Sequence, residues 1–155
     1  MPDLALKTFN MSNRDDHHRR LERMYLSAPA NEYFRPEIRI SEGVAEVQLT
    51  VRPDFFHAAS AVHGSVYFKL LDDATFFAAS SLVDDFFVLT ASFNIYFLRP
   101  ISSGVMTATG TIVSRSKRLL IGEGVLVDGD GQPIARGSGT FMPSRTALDA
   151  RLGYR

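Results

Sequence analysis

The sequence predicts a single α+β domain in which an antiparallel sheet packs on one main helix. Three observations carry that expectation. From Val44 onward most of the chain alternates apolar and polar residues with the period of a half-buried strand. The alternating runs are joined by short polar stretches that suit hairpin turns. One segment, about Val62 to Leu82, is apolar on nearly every side and reads as a buried helix.

The elements follow in chain order. Ser12 or Asn13 is placed to cap a helix from about Arg14, with Asp15 and Asp16 in its first turn, where the helix dipole favours negative charge. Leu21, Met24 and Tyr25 give this helix a narrow apolar stripe, so it is expected to lie on the main body outside the core. Pro29 and Pro36 bracket an expected irregular link containing Tyr33 and Phe34. Ala45, Val47, Leu49 and Val51 then alternate with Glu46, Gln48 and Thr50, and Arg52-Pro53-Asp54 ends that strand. After the central helix, Phe87, Leu89, Ala91, Phe93, Ile95 and Phe97 share one face of a long strand. Thr90, Ser92, Asn94 and Tyr96 share the other, and Arg99-Pro100 closes it. Three more strands are expected at about Val105–Val113, Leu119–Val127 and Ile134–Met142, with Ser114-Arg115-Ser116-Lys117 and Asp128-Gly129-Asp130-Gly131 as the turns between them. The expected boundaries are 1–36 for the first helix and linker, 37–143 for the main domain and 144–155 for a C-terminal tail.

Composition narrows the setting. A chain of 155 residues suits one domain with a sizeable core. Acidic and basic residues are equal at 17 each, so no net field draws it to nucleic acid or an anionic membrane. The absence of cysteine excludes disulfides and thiolate chemistry. No apolar run approaches the roughly 18 residues of a membrane span. Met1 to Asn10 lacks the plan of a secretion signal, so a cytoplasmic setting is the default.

The central helix also carries the chemistry. Its stripe of Val66, Tyr67, Leu70, Ala74, Phe77 and Ala78 must face the sheet. Asp72 lies opposite, among Ser65, Phe68, Thr75, Phe76 and Ala79. One modest sheet cannot cover both sides, so a second copy of the chain is expected over the Asp72 face. An ionised carboxylate in such apolar company is costly and asks for a functional reason. Gly64, after His63, stands where the helix begins, and a helix N-terminus offers unpaired N–H groups to a developing oxyanion. Asp72 further along is suited to act as base or nucleophile. The bland alternative pairs Asp72 with Lys69 on the same helix. Metal chemistry is not expected. His17 and His18 are adjacent and diverge by about 100° on a helix. Asp128-Gly129-Asp130-Gly131 lacks the glycine position and the closing Glu of a calcium loop, and reads as a turn. Gly122-Glu123-Gly124 sits within a strand pattern and opens no helix, so it is not a phosphate loop.

His63-Gly64, Asp72 and the run Thr90 to Pro100 resemble the hotdog-fold acyl-CoA thioesterases, of the small phenylacetate-pathway type, from about Glu37 to Met142. The resemblance implies a sheet wrapped around the long helix, with the N-terminal helix as an extra. It also implies a homodimer or homotetramer with sites at the dimer interface, an acyl-CoA substrate and no cofactor. By position, Gly64 would polarise the thioester carbonyl, Asp72 would be the catalytic carboxylate, Thr90 the hydroxyl near the attacking water, and His63 the motif histidine lining the site. The chain departs from the family pattern at Ser65, where a second glycine is usual, and at His57, where an asparagine is usual. Asp73 adds a carboxylate that points about 100° away from Asp72. Arg115, Lys117 and Arg118, with Arg99, are candidate contacts for the phosphates of coenzyme A. Two other activities compete with hydrolysis. One is a non-catalytic acyl-CoA-binding module. The other, hydration or dehydration of an acyl thioester, would need a His–carboxylate pair in surroundings not found here.

Overall fold

The alternating runs fold as strands of one six-stranded sheet in a computed structural model that describes residues 3–155, with side chains from Asn13 onward. The chain runs α1 (Asp3–Leu26), α2 (Pro29–Phe34), β1 (Glu37–Ser41), β2 (Val44–Thr50), α3 (Gly64–Ser80), β3 (Phe86–Phe97), β4 (Val105–Arg115), β5 (Leu120–Val127) and β6 (Pro133–Ala147). Two short 3-10 turns lie at Pro53–Phe55 and Ala150–Leu152. The spatial order is β1-β2-β4-β5-β6-β3 and every neighbouring pair is antiparallel. The α+β class read from the sequence is the one observed. No helix among the described residues is long and apolar enough to cross a membrane.

Helix α3 lies in the curve of the sheet. Val66, Tyr67, Leu70, Ala74, Phe77 and Ala78 are all buried, as the stripe requires. The sheet approaches the helix so closely that β4 needs a glycine. A Cβ on Gly110 would stand 2.4 Å from both the carbonyl carbon of Ala74 and the amide nitrogen of Thr75. A strand interior is otherwise a poor place for glycine.

Several expectations are corrected. Helix α1 spans Asp3–Leu26, so Ser12 and Asn13 lie inside it and not at its start. Its stripe belongs to the core: Leu21, Met24 and Tyr25 are buried with Ile38, Ile40 and the α3 stripe. The reason is β1, a strand not foreseen, whose Ile38 and Ile40 present an apolar face that α1 covers. Arg19 Nη2 donates to the Ile40 carbonyl and the Ile40 amide donates to Glu22, both at 2.8 Å, so α1 also occupies hydrogen-bonding groups on the outer edge of β1. The link at Pro29–Phe34 is a short helix, opened by its proline and closed by Arg35 with φ 55°. The Asp72 side of α3 is partly covered by its own chain, because Thr75 and Ala79 are fully buried; Phe68 there remains 40% exposed.

The most consequential correction is in β3. Strict alternation puts Leu89 inside and Thr90 outside, yet Val88 is buried and Leu89 is 52% exposed. Register shifts fall between Phe86 and Val88 and again between Thr90 and Ser92, marking bulges in the pairing with β6. The first turns Thr90 toward α3. The second restores the expected parity, and Phe93 and Ile95 pack on the core.

Candidate active site

Thr90, turned inward by the first of those bulges, donates from Oγ1 to Asp72 Oδ1 at 2.8 Å. Asp72 sits two turns into α3, half-buried. The cation expected beside it is engaged elsewhere: Lys69 Nζ lies 2.6 Å from Asp73 Oδ2, which also accepts from Tyr25 Oη at 2.7 Å. Lys69 further stands over the rings of Tyr25 and Phe34, at 5.4 and 5.0 Å from their centroids. Asp73 therefore ties α1 to α3, while Asp72 faces a hydroxyl. Burial pushes the Asp72 carboxyl above the usual carboxylate range; the Thr90 bond opposes this, the Asp73 charge adds to it, and Lys69 opposes it. Asp73 is also raised by burial, against the charge and hydrogen bond of Lys69 and the bond from Tyr25. The Tyr25 phenol is pushed up by burial and by Asp73, and stays protonated.

Asp72 and Thr90 open into a cleft of about 650 Å³ walled by apolar side chains that include Met24, Phe76, Phe77 and Phe87. A volume of this size is ordinary for a small-molecule site. Sequence reasoning missed the Tyr25–Asp73–Lys69 cluster, because it needs α1 in the core. It also missed the C-terminal segment Ala150–Gly153, which lines the same cleft. A four-residue stretch with two apolar residues carries no readable period.

At the start of α3, His63 is the N-cap. Its Nδ1 accepts from the Ser65 amide at 3.1 Å, with Ser65 Oγ 2.7 Å from the same nitrogen. The Val66 amide donates to the His63 carbonyl at 2.9 Å. Of the first-turn amides this leaves that of Gly64 pointing out of the helix end. Phe97 lies against this glycine, where a Cβ would stand 2.9 Å from its Cε1. Gly64, His57, Tyr67, Phe97 and Arg99 border a second cleft of about 340 Å³. His57 Nδ1 accepts from the Ala59 amide at 3.1 Å, holding the loop before the helix. Arg99 donates to Asp128 at 3.0 Å, and its carbonyl accepts from Tyr67 Oη at 2.9 Å. The other Asp128 oxygen accepts from the amides of Asp130 and Gln132, which makes that segment a side-chain-closed turn.

The structure does not bring Gly64 and Asp72 together in one chain. Eight helical steps separate them, roughly 12 Å of rise, and they open into different clefts. The basic turn is more distant still. Arg115 donates to the Leu82 carbonyl at 2.8 Å, and Lys117 and Arg118 are exposed beside it, near the Phe86 end of β3. Gly64 lies at the Phe97 end, roughly 36 Å along the strand. His17 and His18 are both buried, with their ring centroids 5.8 Å apart. His17 Nε2 is 3.0 Å from the Ser80 carbonyl and Nδ1 2.6 Å from Tyr154 Oη, and His18 is held neutral chiefly by burial.

Residues 59–135 match the thioesterase superfamily. The chain belongs to the thioesterase superfamily. A provisionally named esterase of Saccharolobus solfataricus is 25% identical over 114 residues, covering 74% of this chain and 81% of its own length. Among solved structures, the E. coli PaaI protein from the phenylacetic acid degradation operon matches with a TM-score of 0.80 at 21% identity, over 88% of this chain and 99% of that one. A thioesterase from Haemophilus influenzae matches with a TM-score of 0.71 at 20% identity, over 77% of this chain and 85% of its own. The fold is therefore the hotdog fold, a sheet wrapped on one long helix, with α1 added. Membership of this superfamily carries the coarse activity, hydrolysis of a thioester.

Proposed function

We propose that this hotdog thioesterase hydrolyses acyl-CoA thioesters at a site shared by two protomers. The observation that carries the reading is Asp72: half-buried, bonded to Thr90, with its neighbouring cation taken by Asp73, at the head of an apolar cleft. An acyl group would occupy that cleft. The thioester carbonyl oxygen would accept from the Gly64 amide of the second protomer, since 12 Å or so of helix keeps the two groups of one chain apart. The Thr90 bond fixes one carboxylate oxygen and leaves Oδ2 to take a proton from water. Water forms the new C–O bond, the C–S bond breaks, and the thiolate leaves and recovers the proton. His63 and Ser65 keep the helix end open by satisfying its other amides from within. Arg99 and His57 border the Gly64 cleft, and Arg115, Lys117 and Arg118 are the proposed phosphate contacts.

The free, partly apolar outer edge of β3 supports this assembly, through antiparallel pairing of two such edges. Such pairing would bring the Thr90 part of one strand beside the Phe97 part of the other, and with it the basic turn of one protomer toward the Gly64 cleft of its partner. The direct test is a panel of acyl-CoAs with a thiol reagent. Release of free CoA is expected. A change in enoyl absorbance without release would assign hydration, and binding without turnover would assign a carrier or sensor.

A further inference from the structure

The C-terminal residues after β6 have no part in the mechanism, yet they are held with care. Asp149 caps the Ala150–Leu152 turn by accepting from the Arg151 amide at 2.9 Å. Gly153 follows with φ 81° and lies so close to α1 that a Cβ there would stand 2.3 Å from Ser27 Oγ. Tyr154 Oη donates to His17 Nδ1, because the Nε2 proton is committed to the Ser80 carbonyl. Arg20 stacks over the Tyr154 ring at 5.6 Å, and Arg23 donates to the Arg155 carbonyl. Leu152 and Tyr154 pack on the main core. The latched turn lines the Asp72 cleft, together with Met24 and Phe77.

Resting on the activity proposed above, we infer that the Ala150–Gly153 turn is a specificity wall that sets the longest acyl group the cleft accepts. This turn lines the cleft together with Arg155 and the α1–α2 junction at Ser27–Ala30. Its lining is mainly apolar, so the groups it selects among are unsubstituted acyl chains of different reach. The wall is built from a segment held by contacts remote from the chemistry, so its position can change while Asp72 and Thr90 stay in place.

The test uses the full chain and an acyl-CoA series from acetyl to palmitoyl, reading the long-to-short ratio of kcat/KM. Leu152→Ala should raise that ratio at least about tenfold, and Leu152→Trp should lower it by a similar factor, since one methylene in an apolar pocket is worth about 10–200-fold. Gly153→Val keeps every lining side chain but pushes the turn off α1, and should act like Leu152→Ala. Opposite shifts from the two Leu152 variants cannot come from loss of folding. Ratios within twofold of wild type in all three variants, or shifts of one sign in both Leu152 variants, would overturn the wall. Should wild type turn over no thioester, the proposed activity fails separately. Calorimetric affinities for the same series, read as the same ratio, then decide the wall by binding.

Discussion

At the scale of single residues, the structure separates two adjacent carboxylates by partner. Asp72 touches a hydroxyl, and Asp73 holds Lys69 and Tyr25. Asp72→Asn should therefore fold normally and lose at least about 100-fold in kcat, the typical cost of a missing general base. Asp73→Asn should keep most of its rate and lose stability, by up to about 3 kcal/mol, because it breaks a mostly buried ion pair. Steady-state rates and thermal melts on both variants check the split. Equal rate losses would sink the assignment of Asp72.

The raised Asp72 carboxyl fixes two signs of pH dependence. Activity needs the ionised form, so kcat/KM should fall as pH drops, with its midpoint above the ordinary 3.8. The Asp73 charge contributes to that rise, so Asp73→Asn should move the midpoint down. For stability, a raised carboxyl binds protons more tightly in the folded chain than in the unfolded one. Its favourable contribution is complete below the unfolded value and is lost as pH rises through the folded one. Asp72→Asn removes that decline and should be relatively more stable at neutral pH. Asp72 was legible because a carboxylate on an apolar helix is anomalous. Its bond to Thr90 was not, because alternation alone placed Thr90 on the far face and only the bulge between Phe86 and Val88 turns it inward.

At the scale of elements, periodicity identified α3, β2 and the last three strands, where long runs leave little ambiguity. It failed where tertiary context decides. The α1 stripe reads as peripheral until β1 supplies a surface for it, and β1 itself has only five residues to show a pattern. Gly110 is a further case of context. In the sequence it is an ordinary glycine of a small-residue strand; in the fold its missing side chain lets β4 lie on the backbone of α3 at Ala74 and Thr75. Backbone cannot swing aside as a side-chain tip can. Gly110→Ala should lower stability by about 3 kcal/mol, the upper end for overpacking, and shift Asp72 two residues away enough to depress activity as well. A melt within a degree or two of wild type would mean that the helix relaxes at little cost.

At the scale of the whole molecule, the two edges of the sheet differ. The β1 edge is occupied at Ile40 by side chains of α1. The β3 edge presents Phe86, Leu89, Tyr96 and Phe97, all more than 40% exposed, along twelve residues. A long apolar edge is a template for another strand. A homodimer was read from the sequence on a different ground, the Asp72 face of α3, much of which the chain covers itself. The edge strand is the better argument, and it fixes a register. The pairing that puts Thr90 of one protomer beside Phe97 of the other is centred within a residue of Asn94, and Asn94 is exposed. Facing side chains must lie on the same side of the joined sheet, so Asn94 should oppose Asn94. The chain has no cysteine, so Asn94→Cys gives a single reporter. Mild oxidation should convert it to a covalent dimer, because paired strands bring Cα atoms to about 4.5–5.5 Å, within disulfide reach. Leu119→Cys, in the turn just before β5 and away from this edge, should remain monomeric on a denaturing gel. Crosslinking at both positions would indicate random collision, and crosslinking at Leu119 alone would remove the β3 edge as the interface. A site made of Asp72 from one protomer and Gly64 from the other would then have no assembly to bring them together.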